Sequence, residues 1–365
     1  MRRGNWVLGA ALAAGISGFS YAPDTAAGAT IDIDEDSRIS IGAGVRTSFR
    51  MNEDAAPSGD AYSKDFQLDN MRLYVSGTVY PDLGLEFNTE FDPNTNDQVR
   101  VLDALAKYEP TDLLNFRAGR MLPPSDRSNL DGPYYLNTYD FPLVANRYPA
   151  IYAGRDDGAA VWGTVGEGAF KYQVGAFEGR QGGPDVDDNP MYAGRLTLNF
   201  LDPEPGYYNS STYYGNKDIL ALGLVGMFEK DGAGTAGSPG DFTGWNVDGL
   251  FEKNLGAFGV FSLEGAYYSY DLDGATDSTV RTAGDSVRGL MSFLVGPELG
   301  PGQLQPHVRY QSFDYDGGGE DTRLEGGLNY IIDGHNAKLS AIAGVEEDAG
   351  GVEQNFFLLG WQLQV

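Results

Sequence analysis

Over 365 residues, 25 Lys and Arg face 52 Asp and Glu, a net charge of −27 that excludes the basic surface a nucleic acid needs. With no cysteine there is no disulfide framework and no thiolate metal site, and two histidines leave little imidazole chemistry. Beyond the N-terminal segment no run of eighteen apolar residues occurs, so any membrane crossing falls to strands.

In chain order, Arg2 and Arg3 precede WVLGAALAAGI (6–16), which is too short to span a bilayer. AGA at 27–29 fits a small-x-small cleavage site, with SYA at 20–22 as a second. Residues 1–29 read as a signal peptide and 30–365 as the exported domain. Removing Arg2, Arg3 and Asp24 leaves 23 basic against 51 acidic residues, or −28.

RISIGAGVRTSFRM (38–51) then alternates strictly. Ile39, Ile41, Ala43, Val45, Thr47 and Phe49 share one face, and Arg38, Ser40, Gly42, Gly44, Arg46, Ser48 and Arg50 the other. The same period predicts strands near 37–50, 66–79, 83–91, 99–109, 113–121, 158–165, 169–178 and 191–201. It continues at 218–228, 242–253, 258–270, 284–296, 304–314, 321–332, 336–346 and 353–365. Sixteen is an even number, as a closed barrel with both chain ends on one side requires.

Connection lengths alternate. YPDLG, EPTDL, GEG, NLGA, PELGPGQ and DGHN are short turns of Gly, Pro, Asp and Asn. Between them lie longer loops at 51–65, 92–98, 122–157, 179–190, 229–241, 271–283, 315–320 and 347–352. One short-side connection, DPEPGYYNSSTYYGNK (202–217), breaks the rule by its length. The pattern predicts an all-β fold: a 16-stranded antiparallel transmembrane β-barrel, aliphatic side chains to lipid and polar ones to a hydrated lumen. NFFLLGWQLQV at the C-terminus is similar to a terminal strand read by the barrel-insertion machinery. ILALGLVGMF (219–228) is apolar on both faces, which suggests a protein contact.

FRAGRMLPPSDRSNLDGPYYLNTYDFPLVANRYPAIYAGRDDGAAVWG (116–163) and LDPEPGYYNSSTYYGNKDILALG (201–223) resemble the phosphate-selective porin O and porin P family. The resemblance implies a homotrimeric channel in the outer membrane of a Gram-negative bacterium, passing small ionic solutes, often anions. It further implies that the long loop after strand 5 folds into the lumen and sets its narrowest point.

That loop carries Arg127, Arg147 and Arg155 beside Asp126, Asp131, Asp140, Asp156 and Asp157, with Tyr134, Tyr135, Tyr139, Tyr148 and Tyr152. Guanidinium forks suit oxyanions, and the tyrosines could pack the loop onto the wall. The alternative is that these charges pair among themselves and only hold the loop. On the polar wall the bases are Arg38, Arg46, Arg50, Arg72, Lys107, Arg117, Lys171, Arg195, Arg288, Arg309, Arg323 and Lys338. The acids are Glu86, Glu90, Asp103, Asp248, Glu252, Glu264 and Glu325. Arg38, Arg46, Arg50, Arg72, Lys107 and Arg117 come from the first five strands and predict a basic stripe down one wall.

The expected function is a water-filled, anion-preferring porin for passive diffusion, with phosphate or another oxyanion as a candidate solute. The alternatives are a weakly selective diffusion porin, a plugged adhesin-like barrel, or an enzymatic one. The last is disfavoured, since His307 and His335 stand beside no serine nucleophile. No catalytic residue, cofactor or metal is expected, and the partners are solute, lipid and further copies of the chain.

Overall fold

The computed structural model describes residues 28–92, 98–147, 153–275 and 281–365. The expected signal peptide, 1–29, lies outside them save for its last two residues, as do Tyr148 and Tyr152 of the long loop. The strands are β1 (Ala29–Asp32), β2 (Arg38–Asn52), β3 (Asp65–Tyr80), β4 (Leu83–Asp92), β5 (Gln98–Tyr108), β6 (Asn115–Met121), β7 (Asp156–Val165), β8 (Phe170–Phe177) and β9 (Met191–Asn199). They continue as β10 (Ile219–Thr235), β11 (Ser238–Asn254), β12 (Gly259–Asp271), β13 (Gly284–Val295), β14 (Gln303–Tyr315), β15 (Glu320–Asp333), β16 (Ala337–Glu347) and β17 (Glu353–Gln364).

From β2 onward each strand pairs antiparallel with the next, and β17 returns to β2 from Phe356↔Asn52 to Gln364↔Gly44. Sixteen strands therefore form a ring with no free edge, the condition for placing backbone in lipid. The short β1 was not expected. It continues along the β2 edge beyond β17, from Ala29↔Ile41 to Asp32↔Arg38. A second departure is 229–241, read as a loop: it is a hairpin in which β10 and β11 stay paired to Thr235↔Ser238, with a register shift between Glu229 and Ala233.

The barrel is inside out relative to a soluble sheet protein. Outward side chains such as Leu224 are 51% exposed, while inward Arg195 is 1% exposed. The alternation is the cause: one face carries Ile, Leu, Val and Phe for acyl chains, the other Arg, Glu, Ser and Asn.

One part of the interior is nonetheless apolar. Ile219, Ala221, Val225 and Met227 of β10 point inward and are buried. Ile219 and Ala221 pack with Leu250 and Tyr213, while Val225 and Met227 join Trp162, Phe177, Met191, Tyr207, Leu122 and Leu130. The protein contact read from the two-faced apolar strand is thus made by the chain's own folded-in segments. Each such buried aliphatic side chain contributes about 1.5–3 kcal/mol, so this side of the lumen is a core and not a channel.

Candidate functional site

Two segments enter the barrel, one from each end. The first joins β6 to β7 and is described over 122–147 and 153–155, with a short helix α1 (Arg127–Asp131) and a 3₁₀ turn (Leu143–Arg147). Asp126 caps α1 by accepting from the Ser128 amide at 3.0 Å. Every residue from Met121 to Tyr134 is buried.

The wall holds this loop strand by strand. Arg195 of β9 donates to the Ser125 carbonyl at 3.1 Å, the Arg127 amide donates to Asp248 of β11 at 3.2 Å, and Tyr268 of β12 donates to Asp126 at 2.6 Å. Asn137 meets Ser292, Gln305 and Asn329 on β13, β14 and β15 at 3.0, 2.9 and 2.8 Å. Lys338 of β16 donates to the Leu136 carbonyl and Gln362 of β17 to that of Tyr134, each at 2.9 Å. Tyr139 then donates to the Thr47 carbonyl and to Asp69, both at 2.8 Å, and its own carbonyl accepts from Arg46. The loop thus follows the inner wall from β9 round to β3. Two glycines permit this close approach: a Cβ on Gly44 would come within 2.6 Å of the Tyr134 ring, and one on Gly360 within 2.3 Å of the Tyr139 ring.

The second segment is the over-long connection 202–217, which enters from the short-turn end and meets the loop. Arg127 pairs with Glu204 at 2.5 Å and donates to the Ser210 carbonyl at 2.8 Å. Ser211 donates to Asp131 at 2.5 Å, and Tyr207 to the Leu122 carbonyl at 3.0 Å. Glu252 of β11 holds the segment with three accepted bonds, from the Thr212 hydroxyl and the Tyr213 and Gly215 amides at 2.6 to 3.0 Å, and accepts a fourth from Ser262 of β12 at 2.9 Å. His335, in the turn after β15, lies between the rings of Tyr135 and Tyr214, 4.8 Å from each, with Nε2 3.0 Å from the Thr212 carbonyl. Burial first, then the Lys338 ammonium, pushes its imidazole down to about 3. Burial alone would raise the Glu204 carboxyl, but Arg127 outweighs it and brings the group to about 2.

Open space remains on the β2–β6 side. A neck of about 150 Å³ lies between Leu130–Tyr135 of the loop and a wall carrying Arg72, Tyr74, Glu86, Asp103 and Lys107, with Arg155 beside them. Toward the short-turn end lies a vestibule of about 970 Å³ bordered by Arg38, Glu109, Asp112, Glu167 and Lys217; Lys107 lines both spaces. In the neck each cation has a carboxylate: Arg72 with Glu90 at 2.5 Å, Lys107 with Glu86 at 2.9 Å, Arg155 with Asp103 at 3.3 Å. Arg117 pairs with Glu109 at 2.9 Å and lies over Tyr207.

The expected stripe is therefore divided in position. Arg72, Lys107 and Arg117 lie together, Arg38 stands exposed at the vestibule, and Arg46 and Arg50 are taken up by the loop. Arg50 bonds Asp140 and Asp69 at 2.8 and 3.0 Å. Of the loop arginines, Arg127 is sealed between the two segments, Arg147 bonds Asp321 at 2.8 Å and Tyr315, and Arg155 reaches the neck. The residues that sequence reading passed over are those of 202–217. Their signal was the excess length of that turn and the apolar inner face of the strand that follows it.

Among the described residues Arg46, Lys171 and Lys338 are buried cations with no carboxylate within ion-pair distance. Arg46 holds Asn70 and the Tyr139 carbonyl, Lys171 the Gly206 carbonyl and Asn209, and Lys338 the Leu136 carbonyl.

Residues 39–210 match the family described as phosphate-selective porin O and P. No curated protein matches the chain. Among solved structures, the anion-selective porin from Comamonas acidovorans is 14% identical, covering 90% of this chain and 100% of its own, with a TM-score of 0.65. OmpT, an outer membrane protein of Vibrio cholerae in trimer form, is 14% identical over 91% of this chain and 100% of its own, at 0.56. A mutant of the Rh. blastica porin is 14% identical over 90% and 100%, at 0.54. With the match over 39–210 and the likeness to solved porins over the described chain, this protein has the fold of a 16-stranded transmembrane β-barrel and resembles the phosphate-selective porin O and P family.

Proposed function

We propose that the chain forms a water-filled, modestly anion-preferring pore in the outer membrane of a Gram-negative bacterium, assembled as a homotrimer. The neck lined by Arg72, Lys107 and Arg155 is the selective passage in this reading. Arg127, Arg147, Asp126, Asp131, Tyr134 and Tyr139 hold the loop that narrows it, and solute does not meet Arg127 at all.

The observation that carries the preference is the set of buried cations, Arg46, Lys171 and Lys338, met only by carbonyl and amide oxygens. No carboxylate lies within ion-pair distance of any of the three, so each of them, when protonated, acts through a medium of low dielectric. At an effective dielectric near 20, one such charge attracts an anion about 10 Å away by roughly 1.7 kcal/mol before salt screening. The one-to-one pairing at the neck limits the effect, which supports a modest ratio for small anions rather than tight capture of one oxyanion.

The test is ion selectivity in planar bilayers for Lys338→Gln and Lys171→Gln. Each should lower the chloride-to-potassium permeability ratio while the channel stays open. An unchanged ratio in both would remove these cations from the account, and a wild-type barrel that conducts nothing would mean it is plugged.

A further inference from the structure

The charges of the neck are engaged unevenly. Glu90 accepts from Arg72, from Asn70 at 3.1 Å and from the Met71 amide at 3.2 Å. Asp103 accepts from Asn88 at 3.0 Å and Arg155 at 3.3 Å, Glu86 from Lys107 at 2.9 Å, and Asp131 from Ser211 at 2.5 Å. Each carboxylate here is thus already bonded. Arg155 likewise divides its nitrogens between Asp103 and the Ala153 carbonyl. Arg72 differs, because it gives Glu90 only its Nε. Among the described residues its two Nη atoms donate to nothing, although the residue is only 7% exposed. A guanidinium fork left open on a buried arginine matches the two oxygens of a carboxylate.

Much of the remaining lining is aromatic. Tyr74 is the next inward residue of β3 after Arg72, roughly 7 Å along the strand. Its half-buried ring meets that of the fully buried Tyr134 edge-on at 6.3 Å. Tyr135 and Tyr208, also half-buried, line the same space. Gly42 and Gly44 of β2 stand opposite Tyr74 and Arg72, so no β2 side chain fills the wall beside them. Tyr135 and Tyr208 also border a second space of about 300 Å³ at the short-turn end, where Tyr213 and Tyr214 continue the row of rings.

We propose that the neck is a subsite for small aromatic monocarboxylates, the carboxylate on the Nη fork of Arg72 and the ring against Tyr74. This rests on the open, anion-preferring reading above and names the solute class. The one-to-one pairing of charges offers a polyvalent oxyanion no surplus of cations. A solute that gains here carries one negative charge, for the open fork, and a flat apolar body, for the tyrosines.

The test is block of the chloride current in planar bilayers at neutral pH by sodium benzoate, sodium acetate or inorganic phosphate. Benzoate should block at a concentration several-fold below that of acetate or phosphate. Tyr74→Leu should bring benzoate to the level of acetate, and Tyr74→Phe, which keeps the ring, should retain the difference. Arg72→Lys, which keeps the charge and loses the fork, should weaken the benzoate block several-fold. A wild-type channel that is closed, or that prefers cations, would overturn the pore reading and the subsite with it. An open, anion-preferring channel that the three anions block alike would overturn the subsite alone, as would a benzoate preference that survives Tyr74→Leu.

Discussion

Arg127 and Glu204 lie 77 residues apart and meet at 2.5 Å with side chains 0% and 1% exposed. One belongs to the segment entering from the long-loop end, the other to the segment entering from the short-turn end. Their pair joins two chain excursions that the barrel wall alone would not bring together.

Breaking that pair leaves a buried charge without its partner, which costs about 3–5 kcal/mol. Glu204→Ala and Arg127→Ala should each lower thermal stability in detergent and raise single-channel current noise, because loop and connection lose their common anchor. A double-mutant cycle should show coupling, with the double variant less damaged than the sum of the singles. Strictly additive losses would mean that each side chain acts through its other contacts.

At Gly360 the wall and the loop touch. Gly360→Ala places a methyl where the Tyr139 ring lies, and Gly44→Ala does the same to Tyr134. Each substitution should displace its ring from the wall, cost about 1–3 kcal/mol by overpacking, and change single-channel conductance. The control is Gly226→Ala, on the lipid side of β10, where a Cβ would have nothing within 4 Å. If it alters conductance as much, ring displacement is not the cause.

Acid should loosen the junction between loop and connection. The folded value of His335, about 3, lies below its ordinary 6.5, so the unfolded chain takes up the proton first. Its contribution is whole above pH 6.5 and is lost progressively as pH falls toward 3. Glu204, at about 2 against an ordinary 4.5, contributes fully above 4.5 and loses that as pH falls toward 2. Melting temperature should therefore fall from about pH 7 to 5 through His335 first, given its ordinary value. His335→Gln, which can still donate to the Thr212 carbonyl, should flatten that upper part and leave the lower decline. An equal decline in wild type and variant over the upper part would rule out His335 as the source.

Strand positions were legible because the side-chain period of two runs almost unbroken from Arg38 to the last strand, and a slip by one residue would put Arg46 and Arg72 in lipid. The extended hairpin near Glu229 was hidden by Gly and Asp, residues that signal loops but here sit in a paired ribbon beyond the membrane. β1 was missed for a different reason: Ala29 to Asp32 pair with β2 only where β17 has ended, a vacancy set by tertiary closure and invisible locally. At the site, the residue types in 122–157 were right for an anchored loop. Which arginine faces solute depended on Glu204, Asp140 and Asp103, partners brought in by other strands and turns. No local pattern assigns them.

The most direct test of the whole account is the zero-current potential of the wild-type channel in a planar bilayer separating concentrated from dilute potassium chloride. In an anion-preferring pore chloride runs down its gradient ahead of potassium and makes the dilute side negative, opposite in sign to the response of a cation-selective standard measured in the same cell. A sign matching that standard would contradict the claim that unpaired lumen cations govern passage.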